Sequence, residues 1–229
     1  MIHLDLPCNV LMAGSTMSGK SFLLKKILKE QVLKSADYII IMSPTCLISG
    51  DWSESMWDDQ LDPKKGLVVQ KFDTGFKTII QEMMESQLRL LQSKKLNEIP
   101  HIVMILDDCL GDSILNQNGL MAKFSTFSRH YHMTTFILVQ QITACPRTYR
   151  INAKYCIMFN SSNFSELERF LDEYVPKKYK KLLETHLEDI YNQDFNFILT
   201  QNFCRKLSDR LLVNGNKDES IIAKYLKNN

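Results

Sequence analysis

The chain has 229 residues, 45% of them apolar and 24% charged, with a formal net charge of only +2. A chain of that length and composition is an ordinary globular one, able to bury a core without disulfides or metals, with a single domain over 1–229 as the default. The near-neutral balance excludes a broadly basic surface, so any nucleic-acid contact must come from a local patch.

In chain order, short apolar runs alternate with helical spacings. Strands are predicted over 8–13, 38–43, 67–72, 102–107, 135–140 and 155–159, and helices over 20–34, 75–96, 118–131 and 163–173. Ile39–Met42 and Ile102–Leu106 are apolar on both faces, as in parallel strands covered by helices on each side. Leu23, Leu24, Ile27 and Leu28 fall at helical spacing. The alternation predicts an α/β three-layer fold around a mainly parallel sheet. Residues 176–192 then look helical, and Phe195–Thr200 with Arg210–Val213 looks like a terminal strand pair. Residues 44–65, with Pro44, Gly50, Pro63 and many acids, read as a long loop or insertion. No apolar run approaches the roughly 20 residues that span a bilayer. The first residues lack a basic region followed by a long apolar stretch, so no signal peptide is expected. Cys8, Cys46, Cys109, Cys145, Cys156 and Cys204 form no C-x-x-C pair, which suits buried thiols in a reducing compartment.

Gly14, Ser15, Thr16, Met17, Ser18, Gly19, Lys20 and Ser21 match the phosphate-binding pattern G-x-x-x-x-G-K-[ST] in full. Each part answers a physical need. Gly14 and Gly19 let the backbone turn and approach a phosphate closely. The loop N–H groups and the start of the following helix, through Phe22, favour an anion. Lys20 would hold the β- and γ-phosphates of ATP, and the Ser21 hydroxyl would ligate Mg²⁺. Asn9–Ala13 before the loop and Phe22–Leu24 after it supply the required strand and helix.

Ile102–Leu106 runs into Asp107 and Asp108, the pattern of a Walker B strand. Asp107 is expected on the Mg²⁺ side near Ser21, and Asp108 is positioned to orient or deprotonate the attacking water. Adjacent carboxylates repel unless a cation or shared proton relieves them, which fits a metal site. The next strand ends in Gln140 and Gln141, two amides where an apolar strand should not stop unless they face a wet site. Gln141, followed by Pro146, is the better candidate for contact with the γ-phosphate or water, with Gln140 as the alternative. Arg129, Arg147 and Arg150 compete for the role of an arginine finger acting across a subunit interface. His130 and His132 lack further ligands at metal spacing. Lys25, Lys26, Lys29 and Lys34, the pair Lys94 and Lys95, and the denser cluster Lys177, Lys178, Lys180 and Lys181 are candidate DNA phosphate contacts or solvated helix faces.

The segments Gly14–Ser21, Ile102–Asp108 and Ser128–His130, with Gln141, Pro146, Arg150 and Asn152 at their spacing, resemble the FtsK–HerA superfamily. Within it, the chain resembles the genome-packaging ATPases of large eukaryotic DNA viruses of the poxvirus type and their relatives in virophages and polinton-like elements. The resemblance covers about residues 8–160; the extension over about 161–229 carries no assignable motif. It implies an additional-strand, RecA-like P-loop ATPase that translocates double-stranded DNA as a hexameric or pentameric homo-oligomeric ring. It further implies packaging of viral DNA into a preformed capsid, contact with capsid proteins, and a place in the host cytoplasm (the viral factory) or the virion. It implies an arginine finger in trans, for which Arg129 and Arg150 are the matching positions. The competing readings are a monomeric P-loop nucleoside or nucleotide kinase, which would leave Gln140 and Gln141 unexplained, and a nucleotide-dependent assembly protein.

Overall fold

Eight strands lie in one sheet among the described residues: β1 Asn9–Ala13, β2 Tyr38–Met42, β3 Gly66–Gln70, β4 Ile102–Asp107, β5 Met133–Val139, β6 Tyr155–Phe159, β7 Phe197–Gln201 and β8 Leu211–Val213. The computed structural model describes residues 2–44, 52, 66–70, 75–109, 120–204 and 210–215, with the backbone alone at 66–70, 76–77 and 120–121. The strand order is β3-β2-β4-β5-β1-β6-β7-β8. Every pairing from β3 to β6 is parallel, and β6–β7 and β7–β8 are antiparallel. The mainly parallel α/β sheet and the terminal strand pair both match the expectation from sequence.

Helices cover both faces. Alternate residues of each strand point to opposite sides. Leu11 and Ala13 of β1 join one buried cluster with Met104, Ile137, Phe124, Tyr149 and Phe170, whereas Val10 and Met12 join the other with Leu24, Ile27, Ile105 and Phe136. The second face is covered by helix α1 (Lys20–Ile27) and the N-terminal residues Ile2 and Leu4. Helices α2 (Phe76–Ser93), α3 (Leu120–Phe127), α4 (Arg147–Asn152), α5 (Phe164–Tyr174) and α6 (Lys177–Thr185), with the short α7 (Leu187–Ile190), carry the residues of the first face. No helix among the described residues is long and apolar enough to cross a membrane.

The predicted helix over 20–34 continues past α1 through a π-helical turn, Leu28–Val32, into Leu33–Ser35. β5 begins two residues earlier than the apolar pattern suggested, because its polar start is satisfied inside. Thr135 Oγ1 donates to Asn9 Oδ1 at 2.8 Å, and His101 Nε2 pairs with Thr134 Oγ1 at 2.8 Å. Ser128 Oγ also donates to Asn9 Oδ1 (2.7 Å), and Asn9 Nδ2 donates to the Ser125 carbonyl (2.7 Å). This buried Asn9 network ties the start of β1 to the turn before β5. A half-satisfied network would cost more than an apolar core, so these partners fix the alignment of β1 and β5. Of the predicted loop over 44–65, only Pro44 and Trp52 lie within the described residues, and Cys46 lies outside them. Cys8, Cys145 and Cys156 are buried; loss of solvent pushes the Cys8 thiol up to about 12, so it acts as a small apolar side chain.

Candidate active site

The loop after β1 is strung between two neighbouring strand ends. Gly14 N–H donates to the Val139 carbonyl of β5 at 3.2 Å, and Ser15 N–H to the Asn160 carbonyl just past β6 at 3.3 Å. A Cβ on Gly14 would meet Phe159 Cβ at 2.6 Å; one on Gly19, whose φ is +99°, would meet the Phe195 ring at 2.8 Å. Both positions therefore require glycine for space, and Gly19 for its backbone as well. The first backbone bond of α1 runs from Leu23 N–H to the Gly19 carbonyl at 2.9 Å. The N–H groups of Lys20, Ser21 and Phe22 precede it and have no intrahelical partner, which makes the helix start an anion site.

Lys20 is 7% exposed, and its Nζ donates to the carbonyls of Gly14 and Ser15, each at 2.8 Å. Burial lowers its pKa from the ordinary lysine value, and the carboxylates of Asp108 and Asp107 oppose that shift. Ser18 Oγ is buried without a hydrogen-bond partner. An orphaned hydroxyl next to the open N–H groups of the helix start fits a polyphosphate. Ser21 and Asp107 offer hard oxygen donors of the kind Mg²⁺ takes in ones and twos alongside substrate phosphates. Such a site needs no dedicated cluster, and no group of three or more His, Cys, Asp or Glu able to hold a metal occurs among the described residues.

β5 lies between β1 and β4, with Ala13 opposite Val139 and Asp107 opposite Leu138. The loop and the acidic pair thus emerge on either side of one strand end. Asp108 takes a left-handed backbone (φ 52°), and its N–H donates to the Leu138 carbonyl at 3.2 Å. Gln140, the first residue past β5, donates from Nε2 to Asp108 Oδ2 at 3.1 Å. Gln141 is exposed and instead starts the turn Ile142–Ala144, where its carbonyl accepts from Ala144 N–H at 3.1 Å. Buried Glu166 of α5 holds that turn, accepting from Thr143 N–H at 3.3 Å and Thr143 Oγ1 at 3.0 Å. The structure therefore brings Gln140 to Asp108, and Gln141 does not make that contact.

The two arginine candidates differ sharply. Arg129 sits in the turn Ser128–Tyr131 before β5, at the strand-start edge of the sheet and opposite the phosphate loop. It lies 5.7 Å over the Phe203 ring, and its Nε is buried without a partner. Arg150 of α4 is 8% exposed and bound inside the subunit. Its Nε and NH2 donate to the two oxygens of Glu173 at 2.7 and 2.8 Å, and NH1 donates to the Cys145 carbonyl. Those bonds place Arg150 as an internal brace between α4 and α5, away from the loop. Arg147 and His130 are exposed, and His132 stacks on His101 at 5.0 Å and pairs with the Ile99 carbonyl. In the basic cluster of α6, Lys180 is tied to Asp172 (2.7 Å) and Glu184 (3.6 Å), and Lys178 lies over Tyr179.

Two residues at the site carried no signal in the sequence. Trp52, 1% exposed, donates from Nε1 to Asp107 Oδ2 at 2.8 Å, with Lys25 Nζ 5.3 Å over its ring. Phe195 packs on Gly19 from the far C-terminal half. No spacing rule connects either of them to the phosphate loop.

A family model described as "Poxvirus A32 protein" matches residues 3–226. No curated protein matches the chain as a sequence relative. Among solved structures, the chain is similar to the genome packaging NTPase B204 from Sulfolobus turreted icosahedral virus 2 in complex with AMPPCP, at 18% identity and a TM-score of 0.60, covering 92% of this chain and 98% of that one. It is also similar to the pCW3 conjugation coupling protein TcpA bound to ATPγS, at 17% identity and a TM-score of 0.62, covering 96% of this chain and 64% of that one. A third likeness is EssC (ATPases 2 and 3) from Geobacillus thermodenitrificans, at 15% identity and a TM-score of 0.51, covering 71% of this chain and 33% of that one. At these identities the structural likeness establishes the fold.

Proposed function

The chain belongs to the poxvirus A32 protein family, and from that premise we propose that it is a Mg²⁺-dependent ATPase that drives double-stranded DNA into a preformed capsid. The observation that carries the hydrolytic part is the Gln140–Asp108 hydrogen bond of 3.1 Å, one strand away from Lys20. It joins a carboxylate and an amide at the strand ends beside the phosphate loop, which supports the reading that the two act on a water attacking the terminal phosphate. A small-molecule kinase would not need this amide, because its acceptor supplies the nucleophile and no water has to be oriented.

The loop N–H groups and Lys20 bind and orient the triphosphate. Lys20 exchanges its bonds with the Gly14 and Ser15 carbonyls for phosphate oxygens, so its charge is held ready in the loop. Asp108 accepts a proton from the attacking water, while Gln140 fixes the direction of its carboxylate. Ser21 and Asp107 would hold Mg²⁺, which when bound draws charge from the phosphate oxygens. The nucleotides named for the B204 and TcpA structures are ATP analogues, which agrees with this substrate class.

In this reading 1–229 is one ATPase domain, with the motif-bearing core at about 8–160 and the rest an extension that widens the same sheet. The working form is a hexameric or pentameric ring, in which a neighbour's Arg129 completes each site. Its partners are DNA and capsid proteins, and its place of work is the host cytoplasm or the virion. The test is ATP turnover with and without double-stranded DNA, with mass measured in parallel. DNA-stimulated turnover in a ring is the expected result. Turnover by a monomer that ignores DNA but phosphorylates a nucleoside would replace the motor with a kinase.

A further inference from the structure

Beside the phosphate loop, on the side away from Asp107 and Asp108, lies a cavity of about 480 Å³. Ser15, Met17 and Ser18 form one wall, Ser161 past β6 a second, and Asp194 with Phe195 a third. Its volume falls in the range of small-molecule sites. Among the described residues no lysine or arginine lines it, and the one charged residue there is a carboxylate. The wall away from the loop, where Asp194 stands, disfavours a phosphate and suits a neutral, hydrogen-bond-donating ring.

Phe195 is 62% exposed and adopts a left-handed backbone, φ 65°. A bulky residue in that region is a genuine outlier, and such strain persists only where surrounding structure holds it. The surroundings do hold it. Tyr191 Oη donates to the Met158 carbonyl at 2.9 Å, fixing the start of the segment to β6. Asn196 Nδ2 donates to the Ile190 carbonyl at 2.9 Å, and Asn214 Nδ2 donates to Asn196 Oδ1 at 2.8 Å, fixing its end. The result is a rigid turn that holds an exposed aromatic ring against Gly19, where any Cβ would collide with it. Burying that ring would be the expected use of a phenylalanine; here it is clamped in the open at the mouth of the anion site.

We infer that this cavity is the nucleobase subsite, with Phe195 as the stacking platform and the Asp194 carboxylate as acceptor for the donor groups of a purine or its ribose. The inference rests on the ATP reading above and adds to it the part of the nucleotide that the loop motif does not address. Stacking on Phe195 tolerates any base but favours the larger purines. Asp194 can only accept, so it favours an edge carrying an amine or hydroxyl.

The experiment compares Mg²⁺-ATP with inorganic tripolyphosphate, which carries the phosphates and no base, binding to the full chain. Phe195→Ala should weaken ATP about tenfold or more, the scale of one base–aromatic stack, while tripolyphosphate binding stays within about twofold. Phe195→Trp should restore ATP binding, and melting curves confirm that each variant is folded. Equal weakening of both ligands would mean that Phe195 only braces Gly19 and would overturn the subsite, as would an unchanged ATP affinity. A wild-type chain that binds neither ligand would instead sink the ATPase reading itself.

Discussion

The two flanks of the phosphate loop are built from opposite materials. Toward β5 and β4 it meets Gln140, Asp108 and Asp107, charged or amide groups already bonded to one another or to Trp52. Toward β6 and β7 it meets Asn160–Ser162, Asp194 and Phe195, a wall of hydroxyls, amides and one aromatic ring with a single carboxylate around an open space. Lys20 sits between them with its charge turned into the loop. Under the proposed function the contrast gives the site a direction: bond cleavage would belong to the acidic flank and recognition of the rest of the nucleotide to the aromatic one. Met17, Asp108 and Phe195, three of the five described non-glycine residues with positive φ, stand around this loop. Backbone strain is thus concentrated where ligand contact is expected, as preorganised sites require.

The sharpest way to break this contrast is Lys20→Ala. If Lys20 is the shared element, its loss should cut turnover by about 10²–10³-fold, the scale of removing one preorganised donor. Unchanged turnover in a steady-state assay would remove the ATPase assignment. Next in size is Asp108→Asn, which keeps a group able to accept from Gln140 but loses the base. Turnover should fall by roughly a hundredfold with ATP still bound. Loss of Mg²⁺-ATP affinity instead would move the metal role from Asp107 to Asp108.

A smaller effect separates Asp107 from its neighbour. The Trp52 indole holds one carboxylate oxygen of Asp107 and, if Asp107 ligates Mg²⁺ as proposed, would set how the other oxygen meets the ion. Partners of this outer kind commonly change metal affinity by about 10–100-fold. Trp52→Phe should therefore raise the Mg²⁺ needed for half-maximal turnover about tenfold, with the plateau recovered at high Mg²⁺. A lower plateau with unchanged Mg²⁺ dependence would reduce Trp52 to packing.

The acidic flank was legible in the sequence because its chemistry is local: a glycine-rich loop after a strand, and two acids ending an apolar run. The sheet's parallel core was legible because strands buried on both faces read as continuous apolar runs. The aromatic flank was not, because Phe195 reaches Gly19 from 176 positions away along the chain, through a turn held by side-chain bonds. Trp52 was hidden for the same reason, and the neighbouring residues of 44–65 lie outside those described. The choice between Gln140 and Gln141 depended on where β5 stops, and strand ends are poorly marked by composition. The six-residue helix Arg147–Asn152 was missed because it is too short for a helical period to register.

The two arginines test whether the site is finished by a neighbour, and here the expected activity effect is smallest. Arg150 is buried and holds both oxygens of Glu173, so Arg150→Ala leaves that partly buried carboxylate without its bidentate partner. That kind of loss costs about 3 kcal/mol, or a melting temperature lower by about 6–12 °C in a chain of this size. Among the described residues, Arg129 gives up its contact with Phe203, about 0.5–1 kcal/mol, so Arg129→Ala should melt within a few degrees of wild type. Its effect should appear in mixtures. If each site borrows Arg129 from the next subunit, equal parts of Arg129→Ala and wild type should turn over ATP at well under half the wild-type rate. Strictly proportional loss would place both arginines in the scaffold and leave the acidic flank complete within one chain.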